Sequence, residues 1–217
     1  MAHGGGLLLV GSGVDAPPRV RLVDAATGDL RHELAVPEGS LRCLSLCLST
    51  DGSQAAAGFD SSWVLWDCQS GEEQLRVGSR KDGHSGGEVT GVSFAPCGSR
   101  LVTCGGNSVI VWDAKTGEPE LQLVGHKGTV RTAVFSPVDG ALVTSGGDDR
   151  KVLVWDARTG DLVRTMEEVD SETVRAVAFS GDGQRIATAG MDDTCKTWDA
   201  DNVYLSIEGH DEMVSSC

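Results

Sequence analysis

Short runs of alternating apolar and polar residues fill the chain, which is the pattern of strands rather than helices. Residues 129–166 show four such runs, TVRTAVFSP, ALVTSG, KVLVWD and DLVRTM, separated by turns rich in glycine and aspartate. No stretch carries a clean stripe of apolar side chains at the i, i+3, i+4, i+7 spacing of an amphipathic helix. The pattern therefore predicts an all-β chain of short strands joined by tight turns.

The same four-strand unit recurs along the chain. The pair Trp-Asp occurs four times, and its tryptophans lie 46, 43 and 43 residues apart, at Trp66, Trp112, Trp155 and Trp198. A Thr-Gly or Ser-Gly turn follows three of these pairs at a constant interval, and RVRLVD, ending at Asp24, is a degenerate copy. Four antiparallel strands repeated about every 43 residues indicate propeller blades.

On these residues the chain resembles the WD-repeat β-propeller family, whose units open with Gly-His and close with Trp-Asp. The resemblance implies an all-β propeller of four-stranded antiparallel blades with about five repeats, either a closed five-blade ring or part of a larger propeller. The predicted repeats are residues 7–36, 40–78, 84–124, 126–167 and 170–208. Residues 209–217 would form the first strand of a further or closing blade.

The resemblance also implies a structural hydrogen-bond tetrad of histidine, hydroxyl, aspartate and tryptophan in each repeat. One repeat has all four, namely His126, Ser145, Asp149 and Trp155. The repeat before it has His84, Thr103 and Trp112, with Asn107 for the aspartate. The repeat after it has Thr188, Asp192 and Trp198, with Glu167–Asp170 in the Gly-His position. The first Trp-Asp repeat has Asp60 and Trp66, with Ala56 for the hydroxyl.

Charge and composition narrow the classes of partner. With 18 Lys and Arg against 32 Asp and Glu, the chain carries a formal charge of −14. Because such a charge repels phosphate backbones and anionic lipid, we expect neither nucleic acid nor a membrane as partner. Seven scattered cysteines without Cys-x-x-Cys spacing favour reduced thiols, and the N-terminal residues lack a secretory signal pattern. We expect a cytoplasmic or nuclear protein that is not secreted and uses no cofactor or metal.

One set of variable positions stands out from the acidic background. Each repeat opens its first strand with an apolar residue followed by a variable one, and three of the five variable residues are arginine. In the family this end of the blades is the usual partner-binding rim. The candidate partner-binding residues are therefore Arg42, Phe59, Thr90, Arg131, Asp148, Arg175 and Met191. Each arginine could instead pair with a local acid.

The resemblance implies a non-catalytic scaffold that presents a propeller face to other proteins. The arginines, which can fork onto carboxylates or phosphates, extend this to acidic or phosphorylated segments of a partner. Two alternatives remain: a propeller enzyme of the hydrolase or lactonase type acting in the central channel, and the WD-repeat fragment of a larger multidomain regulatory protein. The channel enzyme would need histidines and carboxylates beyond those that the tetrads use.

Overall fold

The computed structural model describes residues 6–12, 17–60, 62–78, 84, 87–167, 169–170, 172–199 and 203–208. These residues form nineteen strands in five antiparallel sheets, here called blades one to five, and no helix. The all-β fold class predicted from the sequence is therefore confirmed. The predicted strand at residues 209–217 lies outside the described residues.

Within each blade the strands neighbour one another in chain order. Blade one contains β1 (Leu7–Ser12), β2 (Arg19–Asp24) and β3 (Leu30–Leu34). Blade two contains β4 (Cys43–Leu48), β5 (Gln54–Phe59), β6 (Ser62–Asp67) and β7 (Glu73–Gly78). Blade three contains β8 (Gly91–Phe94), β9 (Arg100–Gly105), β10 (Ser108–Asp113) and β11 (Pro119–Val124). Blade four contains β12 (Val130–Phe135), β13 (Leu142–Gly147), β14 (Val152–Asp156) and β15 (Leu162–Met166). Blade five contains β16 (Val174–Phe179), β17 (Ile186–Gly190), β18 (Thr194–Trp198) and β19 (Val203–Glu208).

The burial of each strand follows its position in the blade. The third strands of blades two to four, such as SVIVWD of β10, are buried on both faces up to the final aspartate. The fourth strands, such as PELQLV of β11, are mostly exposed. A strand covered on both faces needs a continuous apolar run, whereas an edge strand tolerates polar side chains. This difference explains why the third strands of blades two to four carry continuous apolar runs and the fourth strands do not.

The Trp-Asp signature marks a repeated local geometry. In blades two to five, a β-bulge shifts the register between the third and fourth strands at the tryptophan. In blade one the same shift occurs at the equivalent residue, Val23. In blades one to four the aspartate then accepts two turn N–H groups, as Asp113 does from Lys115 at 2.9 Å and Thr116 at 2.7 Å. These hydrogen bonds hold the pKa of the Asp113 carboxyl below its usual value. The glycine that ends the turn, Gly117, has a φ of 71°, which glycine adopts at no steric cost.

The apolar cores lie between blades rather than inside them. Four clusters of buried side chains join successive sheets, and the first strand of each blade packs on the first strand of the blade before it. Trp155 of blade four, for example, packs in one cluster with Val102 and Leu123 of blade three. No helix in the described part of the chain is long and apolar enough to cross a membrane.

The blades have two edges. In the four-stranded blades two to five, the upper edge is where first strands begin and second strands end, and the lower edge is where first strands end and the Trp-Asp pairs lie.

Candidate functional site

Blade four holds a complete hydrogen-bonded tetrad beneath its upper edge. Nδ1 of His126 lies 2.9 Å from Asp149, and its Nε2 lies 2.8 Å from the Ser145 hydroxyl. The indole N–H of Trp155 donates to the same hydroxyl oxygen at 3.1 Å. The backbone N–H of Lys127 donates to Asp149 at 2.9 Å. The four predicted side chains are therefore brought together, and they tie the loop before β12 to β13 and β14.

The direction of donation in this tetrad follows from the Asp149 carboxylate, which only accepts. Nδ1 of His126 must therefore carry a hydrogen, and in the neutral imidazole Nε2 then accepts the Ser145 O–H. Burial raises the pKa of Asp149, but the hydrogen bonds from His126 and Lys127 outweigh it and leave that pKa below its usual value. Ser145 is completely buried, so no substrate carbonyl can reach its oxygen. Ser145, His126 and Asp149 are of the same residue types as a catalytic Ser-His-Asp triad, but their hydrogen bonds have a structural role.

Blade three builds the same connection without an aspartate. Nε2 of His84 lies 2.9 Å from the Thr103 hydroxyl, which also accepts the indole N–H of Trp112 at 2.7 Å. Nδ1 of His84 meets the Gly105 carbonyl at 3.2 Å and the Ser108 hydroxyl at 3.3 Å. Burial lowers the pKa of His84. Sequence reasoning missed Ser108 because it looked for the partner only at the aspartate position, where Asn107 stands.

Blade two keeps only part of the set. Asp60 accepts the backbone N–H groups of Leu41 at 3.0 Å and Arg42 at 2.9 Å, so it still holds the loop that leads to the first strand. The indole N–H of Trp66 donates to the Ala35 carbonyl at 3.1 Å. The sequence prediction of Ala56 for the hydroxyl position was wrong by one residue. The register places Ala57 opposite Val64, as Ser145 lies opposite Leu153.

In blade five a carboxyl group takes the place of the histidine. A Cβ atom added to Gly190 would lie 2.0 Å from Oδ2 of Asp170, just as Gly105 faces His84 in blade three. Burial raises the pKa of Asp170, and the neighbouring charge of Asp192 raises it further. Asp170 is only 4% exposed, so this pair of carboxyl groups is largely shielded from water.

The remaining members of the blade-five set stay connected. The indole N–H of Trp198 donates to the Thr188 hydroxyl at 2.8 Å, as in the complete tetrad. Asp192 accepts the Lys196 ammonium at 2.8 Å and the Thr194 hydroxyl at 2.6 Å. Lys196 also donates to the Val169 carbonyl at 2.9 Å. Lys196 therefore places a positive charge beside Asp192, the neighbour of Asp170.

The three candidate arginines lie on the upper edge, but two of them are already paired. Arg131 forms a bidentate ion pair with Asp148, at 2.7 and 2.6 Å. Arg42 pairs with Glu88, which belongs to the loop before β8. For these two arginines the alternative of local ion pairs is the one observed.

Arg175 differs from the other two. Its Nη2 lies 3.6 Å from the sulfur of Met191, and its Nε is buried without a hydrogen-bond partner. No carboxylate within the described residues forms an ion pair with it. Arg175 is partly exposed, so its outer nitrogens can be reached from the upper edge. Met191 is likewise partly exposed beside it.

Two other candidates have internal partners. Phe59 is completely buried and lies edge-on to Trp66, with ring centroids 6.4 Å apart, so its prediction as a partner contact was wrong. The Thr90 hydroxyl donates to the Val130 carbonyl at 2.6 Å and thereby links blades three and four. Within the described residues, no group of three or more His, Cys, Asp and Glu side chains is placed to hold a metal ion.

Comparison with known families agrees with this geometry. The family model described as "WD domain, G-beta repeat" matches residues 76–113, 117–156 and 160–199. These segments cover more than half of the 217 residues. Each matched segment ends at the aspartate of a Trp-Asp pair, namely Asp113, Asp156 and Asp199.

Proposed function

The chain belongs to the WD-repeat family, and from this premise we propose that it is a non-catalytic scaffold that binds partner proteins on its upper edge. Repeats of this family generally mediate contacts between proteins. The tetrads support the proposal because they fix the loops of the upper edge to buried strands, as Asp149 fixes Lys127. A rigid edge loses little conformational entropy on binding.

The observation that carries the finer proposal is the state of Arg175. Its guanidinium has a thioether neighbour and a buried Nε without a partner, whereas Arg42 and Arg131 already have carboxylates. A guanidinium without an acid offers its remaining N–H groups to a carboxylate or phosphate. Arg175 is therefore the anchor for an acidic or phosphorylated segment of a partner, and Arg42 and Arg131 shape the edge around it.

The test compares Arg175→Ala with Arg158→Ala. Arg158 is an exposed arginine in a turn at the lower edge, so its loss changes the net charge equally and leaves the upper edge intact. Tagged wild type and both variants are expressed in cells, and the retained proteins are identified by mass spectrometry at two salt concentrations, with and without phosphatase.

We expect Arg175→Ala to lose partners that Arg158→Ala retains, and wild-type binding to weaken with salt. Phosphatase separates the two sources of negative charge, since it removes phosphate and leaves carboxylates. If Arg175→Ala retains the same proteins as wild type with the same salt dependence, Arg175 is not the anchor.

A further inference from the structure

Three successive blade interfaces form comparable grooves at the lower edge, on the side opposite Arg175. The first groove lies between blades two and three, the second between blades three and four, and the third between blades four and five. The register identifies equivalent residues at their mouths, because each precedes the residue that pairs with the tryptophan of its blade. These residues are Gln54, Arg100 and Leu142.

The second groove is filled by a side chain of the protein itself, that of Arg100. The guanidinium of Arg100 lies over the ring of Phe135, 5.5 Å from its centroid. It donates to the carbonyl of Ala157 at 2.6 Å and to that of Gly140 at 3.1 Å, so it bridges from blade three to blade four. The first groove is lined mainly by polar side chains, including Gln54, Gln74 and Lys115.

In the third groove the positions of the arginine and the leucine are reversed relative to the second groove. Leu142 on the second strand of blade four is equivalent to Arg100 in blade three. Arg164 on the fourth strand, which pairs with Val154, is equivalent to Leu121, which pairs with Val111. The shorter Leu142 leaves a cavity of about 370 Å³, within the size range of ligand pockets. Its apolar lining residues include Val154, Phe179, Ile186 and Trp198.

Arg164 places a cation at the mouth of this apolar cavity. Its Nη1 donates to the carbonyl of Asp199 at 2.7 Å, and no carboxylate among the described residues forms an ion pair with it. The nearby acid Asp182 has donors of its own, the Ser180 hydroxyl at 2.5 Å and the Gln184 N–H at 3.0 Å. The groove therefore combines apolar walls with the guanidinium of Arg164, which can donate to an anion, and one lining acid, Asp199.

The surface around the mouth is also apolar. Val163 lines the groove and is 59% exposed, and its neighbour Leu162 is 48% exposed. Val138, 63% exposed, packs against Gly183, which lines the groove from blade five. Exposed apolar side chains that cluster beside a cavity mark interaction sites more often than scattered ones do.

We propose that the third groove is a second docking site, for a partner segment in which a large apolar side chain lies next to a carboxylate. The apolar side chain fills the space that Arg100 fills in the second groove, and the carboxylate pairs with Arg164. Because the chain carries a charge of −14, acidic segments are repelled from most of its surface and bind where a cation forms no ion pair with a described carboxylate. This proposal does not depend on the function of Arg175.

Two dyes test the chemistry on the folded chain. Anilinonaphthalene sulfonate joins an aromatic system to an anion, and N-phenyl-1-naphthylamine is its uncharged counterpart. We expect one site for each dye, seen as dye emission on tryptophan excitation, because Trp198 lines the groove. Leu142→Arg, which copies the second groove, should weaken both dyes at least about tenfold. Arg164→Leu, which copies Leu121, should weaken only the sulfonate, by about tenfold, the scale of one charge-assisted hydrogen bond. Arg100→Leu should open the second groove and add a site for the uncharged dye.

Peptides then test the partner chemistry. A five-residue capped peptide with a central phenylalanine flanked by aspartates should displace the sulfonate dye, and its twin with asparagines should not. Circular dichroism establishes that each variant is folded, and Arg164→Leu decides the matter if Leu142→Arg does not fold. The proposal is overturned if Leu142→Arg binds both dyes like wild type, if Arg164→Leu affects the two dyes equally, or if the two peptides compete equally.

Discussion

Thr144 offers a direct test of the energetics of this fold. It is completely buried in β13, and its hydroxyl has no hydrogen-bond partner. Its equivalent in blade three is Val102, since Thr144 lies opposite Val154 and Val102 lies opposite Val111. Burying an unpaired hydroxyl costs about 1–3 kcal/mol, and Thr144→Val replaces it with a methyl group of similar size. We therefore expect Thr144→Val to raise the free energy of unfolding by about 1 kcal/mol, which for a chain of this length raises Tm by about 2–4 °C.

The matched control is the reverse change, Val102→Thr, which puts a hydroxyl into an equivalent buried site. We expect it to lower the free energy of unfolding by about 1–3 kcal/mol. Urea denaturation followed by tryptophan fluorescence gives both values, provided that the m-value is unchanged. If Thr144→Val lowers the stability while Val102→Thr leaves it unchanged, the hydroxyl of Thr144 has a favourable role and the argument from its burial is wrong.

Three further predictions follow from buried and exposed polar groups. Because the pKa of Asp170 is raised, the folded state favours its protonated form, and that stability is lost as the pH rises through the raised pKa. Asp170→Asn should therefore stabilise the chain at pH 7 by about 1–2 kcal/mol and lose this advantage as the pH falls towards 4, a trend that urea titrations at several pH values would show or refute. Trp63→Phe should cost about 1 kcal/mol less than Trp112→Phe in the same assay, because the indole N–H of Trp63 has no partner and that of Trp112 donates to Thr103; equal costs would contradict this. Cys97 is exposed, and its hydrogen bond to Ser99 lowers its pKa, whereas burial raises the pKa of Cys104 to about 12. Peptide mapping should therefore find that iodoacetamide alkylates Cys97 before Cys104. The reverse order would disprove this prediction.

The sequence predicted the blades well because their signals are local and repeated. The bulge and turn at each Trp-Asp pair depend on residues within one turn of each other, such as Asp113 and Thr116. Even the degenerate copy at Val23 and Asp24 was recognised, and its bulge and turn match the others. Strands buried on both faces add continuous apolar runs, which the repeat period then places in order.

The candidate site was predicted less well because its contacts cross between blades. Arg42 and Glu88 are far apart in the sequence and meet only because neighbouring first strands pack together. Phe59 was predicted to lie at the partner-binding rim, but its ring packs on Trp66 of its own blade. Blade three has Arg100 and Leu121 where blade four has Leu142 and Arg164, and only the strand register reveals that these residues are equivalent. A difference of single residues between repeats does not by itself indicate where their side chains lie.

Because the cores lie between the sheets, the unit that repeats in the sequence is not the unit that contains a complete core. A repeat as written in the sequence contributes half of one core and half of the next, so the smallest segment with an intact core is a pair of neighbouring blades. Such an array follows nearest-neighbour energetics, in which each interface adds its own term. Duplicating or losing a whole period would regenerate interfaces of the same kind, yet Trp63 against Trp112 and Arg100 against Phe135 are particular to their own junctions. The order of the blades is therefore encoded in the junctions, and a shuffled array would keep its strands but mismatch their faces.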